Sequence, residues 1–312
     1  MKPRSATSPR PPIGQLGDSD LRLLKVFRTV ADCGGMAAAE LHLNVGISTI
    51  SRQVKDLETR LGLTLCRRGR SGFALTAEGQ RVYEETTRLL DATDSFLLGV
   101  DDIHRRMGGQ LEIGIFDKTA TNPAARIGEA IAMFADSAPE VSLQIRVSTI
   151  SAIERKLIDG SLHVGIIPAH RNSESLAYDK LFDETMLLYC GENHPLFKGR
   201  HSALDWKALA EHKFTGLGYH SPNMEASQRA GLRRAATGLD QEAIAILILS
   251  GHFLGFLPDH YADVFEKSGR MRAIRPEVFR YGCDFVCVMR KSPAPARAAQ
   301  AFRDCLVRAH AR

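Results

Sequence analysis

The sequence predicts a multidomain α/β chain in three parts: a small helical domain closed by a β-hairpin, one long helix, and a larger body of alternating strands and helices. Three observations lead there. Apolar residues recur at helical spacing across residues 18–61 and then give way to two short β-prone runs around Gly69 and Gly72. No proline interrupts residues 77–106. Beyond Gly108-Gly109, strand-like runs alternate with helical ones to the end of the chain. The 312 residues, 44% of them hydrophobic, suffice for separate cores.

Charge is distributed unevenly along the chain. Residues 1–76 carry a net +6, residues 77–110 carry −3 and residues 111–312 carry +2. A basic head on a near-neutral body points toward nucleic acid. Residues 1–17 are basic and proline-containing with no apolar core behind them, so they read as a mobile arm rather than a secretory signal. The clearest apolar run, Ala243–Leu249, is far short of the ~20 residues of a membrane helix. Six cysteines in a chain of this length do not make a disulfide framework, and a cytoplasmic setting is expected.

Within residues 18–76, Asp18-Ser-Asp20 offers an N-cap for a first helix. On it Leu21, Leu24, Phe27 and Ala31 share one face, widened by Leu23, Val26 and Val30. Gly34-Gly35 stops that helix. Met36–Leu43 forms a second, alanine-rich helix that another can approach closely, and Asn44–Gly46 is a turn. The third helix starts near Ile47. Its residues Ile47, Ile50, Val54, Leu57 and Leu61 form a buried stripe, while Ser48, Thr49, Ser51, Arg52, Gln53 and Lys55 lie on the other side. Such a helix buries one side and offers short polar groups and bases to a major groove. Arg suits guanine, and Gln suits adenine. A plain three-helix bundle with a solvated polar face has the same pattern. The following hairpin favours the first, because its tip carries Arg67, Arg68 and Arg70 beside the glycines. Arginines there can lie along phosphates or enter a minor groove. Thr76 then caps the next helix.

The stretch Ser51–Gly79 resembles the signature of LysR-type transcriptional regulators. The matching elements are Ser51-Arg52-Gln53, Leu57-Glu58 with Leu61-Gly62, Leu65 with Arg68, and Leu75-Thr76 with Gly79. The chain departs from the family's pattern at three places. Gly46-Ile47-Ser48 stands where Ser-Gln-Pro is common, Cys66 where a Phe is usual, and Glu40 where an Ala is common. The resemblance implies a winged helix-turn-helix over residues 18–76, with Ser48, Thr49, Ser51, Arg52, Gln53, Lys55, Arg67, Arg68 and Arg70 facing double-stranded DNA. It also implies a linker helix over 77–107 that pairs two copies. Along residues 77–106 an interrupted apolar stripe comprises Val82, Leu89, Phe96, Val100, Ile103 and, just beyond, Met107, with Leu90 and Leu97 beside it. A rod with such a stripe and no core of its own needs a partner.

The body, residues 108–312, has strand-like runs at Leu111–Phe116, Val141–Ser148 and Val164–Pro168. Further runs lie near Glu184–Cys190, Lys213–Gly218, Phe253–Pro258 and Cys283–Met289. A helix is expected from about Pro123, and others at Ala152–Gly160, Ala243–Gly251 and Pro295–His310. The alternation implies parallel sheets. It resembles the bilobal fold shared by LysR effector domains and periplasmic binding proteins. That resemblance implies lobe I from 108–168 with 282–312 and lobe II from 169–281. Ligands of open α/β sheets sit where strands hand over to helix N-termini. Lys118, Thr119, Thr121, Thr149, Ser151, Tyr219, His220 and Ser221 fall at such points. Amides and hydroxyls at helix starts favour an anion, so a small organic acid is the expected effector.

Other chemistries find little support. Cys283 and Cys287 share a strand face without metal-type partners, and the histidines show no metal-ligand spacing. His163 stands where the family commonly has an Asp and reads as an edge or core substitution rather than a ligand. There is no Gly-x-Ser-x-Gly elbow. The sequence therefore predicts a DNA-binding transcriptional regulator that answers to a small molecule, with no catalytic residues, cofactor or metal. Its expected partners are double-stranded DNA, an effector, and its own copies as dimers and tetramers, with RNA polymerase a further one and no membrane. Two alternatives remain, a solute-binding protein on the same bilobal body and a hydrolase or transferase. The first predicts a signal peptide and no basic head; the second needs a nucleophile and base placed together.

Overall fold

The computed structural model describes residues 15–69, 72–103, 107–199 and 204–311. Most of the expected arm, Arg70 at the hairpin tip, the side chain of Arg68, and residues 104–106 of the expected linker lie outside that description. The chain divides into two compact units, Met1–Thr93 and Asp94–Arg312.

The first unit holds helices α1 (Asp18–Asp32), α2 (Met36–Leu43) and α3 (Ile47–Leu61). The hairpin β1 (Cys66–Gly69) and β2 (Gly72–Leu75) follows, and then α4 (Ala77–Ile103), which continues into the second unit. Leu24, Val26, Phe27 and Val30 of α1 meet Ile50, Val54 and Leu57 of α3, with Leu65 and Cys66 beneath the hairpin. The 4-3-4 spacing of Ile50, Val54, Leu57 and Leu61 on α3 is thus a packing requirement. Two expectations change. The N-cap of α1 is Gly17, and Asp20 is buried, its carboxylate accepting from the Gly17 amide and paired with Arg60 on α3. Ile47 is the first residue of α3, where the helix has not yet reached the core, and it is 42% exposed.

Glu58 and Gly79 anchor the hairpin. The Glu58 carboxylate accepts the amides of Leu65 at 2.8 Å and Cys66 at 3.3 Å. Thr76 donates its hydroxyl to the Thr64 carbonyl at 2.6 Å and accepts the Gly79 amide at 2.8 Å. Any Cβ on Gly79 would fall 2.0 Å from the Leu65 carbonyl oxygen, so only glycine lets α4 start there. α4 is 27 residues long, ~40 Å at 1.5 Å per residue.

The second unit continues with β3 (Gly109–Ile115), α5 (Ile127–Ser137), β4 (Val141–Val147), α6 (Ile150–Asp159), β5 (Val164–Pro168) and β6 (Leu176–Gly191). Next come α7 (Trp206–Leu209), β7 (Phe214–Leu217), α8 (Pro222–Arg229), β8 (Arg234–Gly238), α9 (Gln241–Leu249) and β9 (Leu254–Pro258). The chain closes with α10 (Asp259–Lys267), β10 (Met271–Ala273), β11 (Arg280–Arg290) and α11 (Arg297–His310). Among the described residues these strands join in one sheet of order β4-β3-β5-β11-β6-β9-β7-β8, with β10 added on β6. The β3·β4, β3·β5, β7·β8 and β7·β9 pairs are parallel.

The expectation of parallel sheets fails at the centre. β11 runs antiparallel to β5 and β6, and β6 runs antiparallel to β9. β6 is 16 residues long and begins at Leu176, upstream of the expected run at Glu184. Its first half and the second half of β11 complete the lobe built on β3, β4 and β5; their other halves belong to the lobe built on β7, β8 and β9. The register shifts at Phe285/Val286, where the paired strands pass from one lobe to the other, and Cys283 then faces Glu184 across the ladder. The expected helix at Pro123 starts instead at Ile127. A 3-10 turn at Thr119–Thr121 intervenes, and the Asn122 side chain accepts the Ala124 amide at 2.9 Å. His163 is a structural residue: its Nδ1 accepts the Glu112 amide at 2.9 Å.

Candidate nucleic-acid interface and ligand cavity

On α3, Ser48, Arg52 and Lys55 are exposed and recur at intervals of four and three, so they form one ridge opposite the buried stripe. Thr49 and Gln53 flank it, half-buried, with Ser51 also half-buried. Arg67 is exposed on β1. Helix and hairpin therefore present bases and hydroxyls from two elements tied together by Glu58 and Thr76. What the sequence did not disclose is the start of α3. Its N-cap, Gly46, has no side chain to accept an amide, but the Glu40 carboxylate on α2 accepts the Ile47 amide at 3.3 Å. Two separate departures from the family pattern are thus one structural feature: a cap supplied in trans from the neighbouring helix.

In the body, a narrow cavity lies where the lobes meet. Ile150 of α6, Ser221 and Asn223 at the start of α8, Gln241 of α9, and Glu184 and Cys283 of the crossing strands help to line it. Of the eight effector residues expected from sequence, Ser221 lines this cavity. Its hydroxyl accepts the Met224 amide at 3.3 Å and donates to the Tyr219 carbonyl at 3.3 Å. Thr149 caps α6 by accepting the Ala152 amide at 3.4 Å, and Ser151 is exposed one residue beyond Ile150.

The others lie nearby in networks that join the lobes. Lys118, in the left-handed region with φ of 61°, pairs with Glu242 of α9 and lies 4.6 Å from the Tyr261 ring centre. The Tyr261 hydroxyl donates to Glu242 at 2.9 Å. Thr121 donates to the Lys118 carbonyl at 3.0 Å and lies 2.8 Å from His260 Nδ1. His260 Nε2 is in turn 2.9 Å from Glu184 Oε1. Thr119 is buried in the 3-10 turn. The His220 ring lies 5.3 Å from that of His170 and 3.5 Å from Glu225 Oε1. Burial pushes the Tyr219 hydroxyl above its ordinary range, with Asp117 adding to the shift.

Sequence reasoning missed the acids. Asp117 Oδ2 accepts the Gln241 amide at 2.7 Å, which places a carboxylate of one lobe at the N-terminus of α9 in the other. Desolvation, with Asp240 and Glu184 nearby, pushes the Asp117 carboxyl up to about 6. Glu184 is 4% exposed. The strand that carries it reads as an ordinary apolar run, and nothing local in the sequence marks it as facing a cavity. Burial raises the thiols of Cys190 and Cys287 to about 12 and that of Cys283 well above its usual range, against any reactive role. Among the described residues no cluster of histidine, cysteine and carboxylate side chains is suited to a metal, and no helix is long and apolar enough to cross a membrane.

Comparison with known proteins places both parts of the chain in one family. Residues 21–80 match the bacterial regulatory helix-turn-helix of the lysR family, and residues 104–311 match the LysR substrate binding domain. The HTH-type transcriptional activator BauR of Pseudomonas aeruginosa is 37% identical over 301 residues, covering 96% of this chain and 99% of its own. The SDS degradation transcriptional activation protein of a Pseudomonas species is 26% identical over 303 residues, covering 94% of this chain and 97% of its own. The crystal structure of CbnR, a LysR family transcriptional regulator, shares the fold. Its TM-score is 0.63 at 22% identity, covering 93% of this chain and 99% of that one. Full-length CbnR complexed with its target DNA gives a TM-score of 0.62 over the same shares.

Proposed function

The chain belongs to the LysR-type transcriptional regulators, and we propose that its DNA contacts come from Ser48, Thr49, Ser51, Arg52, Gln53, Lys55, Arg67, Arg68 and Arg70. The observation that carries this assignment is the exposed Ser48–Arg52–Lys55 ridge on α3, opposite the stripe that packs on α1. Arg52 on that ridge reads a base edge, and the hairpin arginines hold phosphates. Gel-shift titration at two salt concentrations tests the division. Arg68→Ala weakens binding to every duplex and flattens the salt dependence, whereas Arg52→Ala also relaxes sequence preference. Unchanged binding in both variants refutes it.

Two copies pair through residues 77–107 in this reading. Phe96 and Leu97 on α4 are 68% and 55% exposed, an apolar edge that a second α4 would bury. Effector domains then join dimers into tetramers, and sedimentation of Phe96→Glu should show smaller species. The effector is a small organic acid held where the lobes meet. Helix starts of α6 and α8 face the cavity, and those of oriented amides favour an anion. Calorimetry with carboxylates, amines and sugars tests that choice; binding confined to neutral or cationic compounds refutes it. The protein acts in the cytoplasm by binding rather than by catalysis, with RNA polymerase as a further partner. Its response follows from differential affinity of the ligand for two lobe arrangements.

A further inference from the structure

We infer that the effector carries an ammonium group as well as a carboxylate, with its nitrogen seated against Glu184 and Gln241 in the interlobe cavity. The inference rests on the reading of that cavity as the effector site.

The polar groups around the cavity are of two kinds. The first are acceptors. Gln241 is 2% exposed, lines the cavity, and its Oε1 has no hydrogen-bond donor among the described residues. A buried acceptor without a donor costs about 1–3 kcal/mol, so the position calls for a donor from elsewhere. Glu184, also buried, lines the same cavity with His260 on Oε1 at 2.9 Å and the Cys283 thiol 3.8 Å from Oε2. Carboxylate oxygens accept more than one bond each, so both still have capacity. Asp117 adds a second acid beside Gln241, and its Oδ1 has no donor among the described residues. Asp240 caps α9 next to it. Set against these acids are Lys118, already paired with Glu242, and His260. The raised carboxyl of Asp117 is what an excess of acid in a desolvated place produces.

The second kind suits an anion. α6 opens with a neutral Thr149 cap, has no acid in its first turn, and its first residue, Ile150, lines the cavity. α8 opens with the neutral cap Ser221 against the same space, its first-turn acid Glu225 lying 3.5 Å from His220. A ligand with an ammonium at one end and a carboxylate at the other satisfies both kinds.

The test is isothermal titration of the full-length protein with 4-aminobutanoate, L-norvaline, pentanoate and butylamine. At least one of the two zwitterions binds tighter than pentanoate by about tenfold or more, the effect of one charge-assisted hydrogen bond. Glu184→Gln reduces that preference to within about twofold while pentanoate binding is kept. Independent confirmation comes from Gln241→Leu, which does the same by a change that leaves every charge in place; retained DNA binding shows that each variant is folded. Pentanoate binding as well as the zwitterions overturns the ammonium site and leaves the organic-acid reading standing. Butylamine binding tightest, or none of the four binding, overturns both. A zwitterion preference that survives in both variants overturns the assignment to Glu184 and Gln241.

Discussion

The Glu40 cap on α3 makes a quantitative prediction, because two effects of the same carboxylate oppose one another. Its bond to the Ile47 amide, 3.3 Å long, does for α3 what an N-cap side chain does, worth about 1 kcal/mol. Glu40→Ala should therefore loosen the first turn of α3, where Ser48 and Thr49 lie, by that order. Gly46 is extended, with φ of −62° and ψ of 151°, and a Cβ there would meet Glu40 Oε1 at an ordinary 3.9 Å. Gly46→Ser thus fits and supplies a local cap. It should recover most of the loss in the Glu40→Ala background yet add only a few tenths of a kcal/mol to the wild type. Glu40→Gln keeps an acceptor but removes a negative charge from a helix end proposed to face DNA. At ~8 Å in water that charge repels a phosphate by about 0.5 kcal/mol before screening. Glu40→Gln should accordingly bind duplexes about twofold tighter at low salt, and the gain should vanish near 1 M salt. Hydrogen exchange at the Ile47 and Ser48 amides and salt-dependent gel shifts read the two effects separately. Strict additivity of Glu40→Ala and Gly46→Ser would refute a shared cap.

Two further perturbations follow from the structure. Gly79→Ala places a methyl 2.0 Å from the Leu65 carbonyl oxygen and should destabilise the first unit by on the order of 3 kcal/mol. Far-ultraviolet dichroism or hydrogen exchange should follow it, since the chain's single tryptophan, Trp206, lies in the other unit. Asp117 titrates near 6 when folded and near 3.8 ordinarily, so the native state binds its proton more tightly. As pH rises from about 4 to above 6, the wild type progressively loses stability relative to Asp117→Asn, by at most about 3 kcal/mol. Melting temperatures across that range check the sign; a difference that shrinks with rising pH contradicts it.

How far the sequence discloses this molecule depends on whether the determining contacts are local. The three helices, the hairpin and the start of α4 were legible because period, glycine position and Thr76 are local signals. The role of Glu40 was not, because it spans two helices that the sequence shows only one after the other. In the body, the alternation of strands and helices was legible, but the direction of β6 and β11 was not. A long strand that changes lobes midway carries the same apolar pattern whichever way its neighbour runs. Among the cavity residues, Ser221 was legible through its capping position. Glu184, Gln241 and Asp117 lie far apart in the chain and are brought together only by the crossover of β6 and β11 and the approach of α9.

That approach bears on how ligand binding can alter the protein. α9 receives its N-terminal carboxylate from the opposite lobe, through Asp117 on the Gln241 amide, and Lys118 joins Glu242 one residue further along. Two of the contacts between the lobes therefore converge on a single helix start, next to the cavity-lining Gln241 side chain. A ligand that engages Gln241 changes the environment of the residue whose amide holds Asp117. Its binding energy and the lobe contact are coupled through one residue, with no longer chain of side chains required. The lobes would open or close only by the ligand's difference in affinity for the two arrangements. Substituting Asp117 by Asn removes the charge from this contact while keeping an acceptor. It should shift effector affinity even though Asp117 is absent from the cavity wall, and unchanged affinity across the pH range would show that the contact and the cavity are independent.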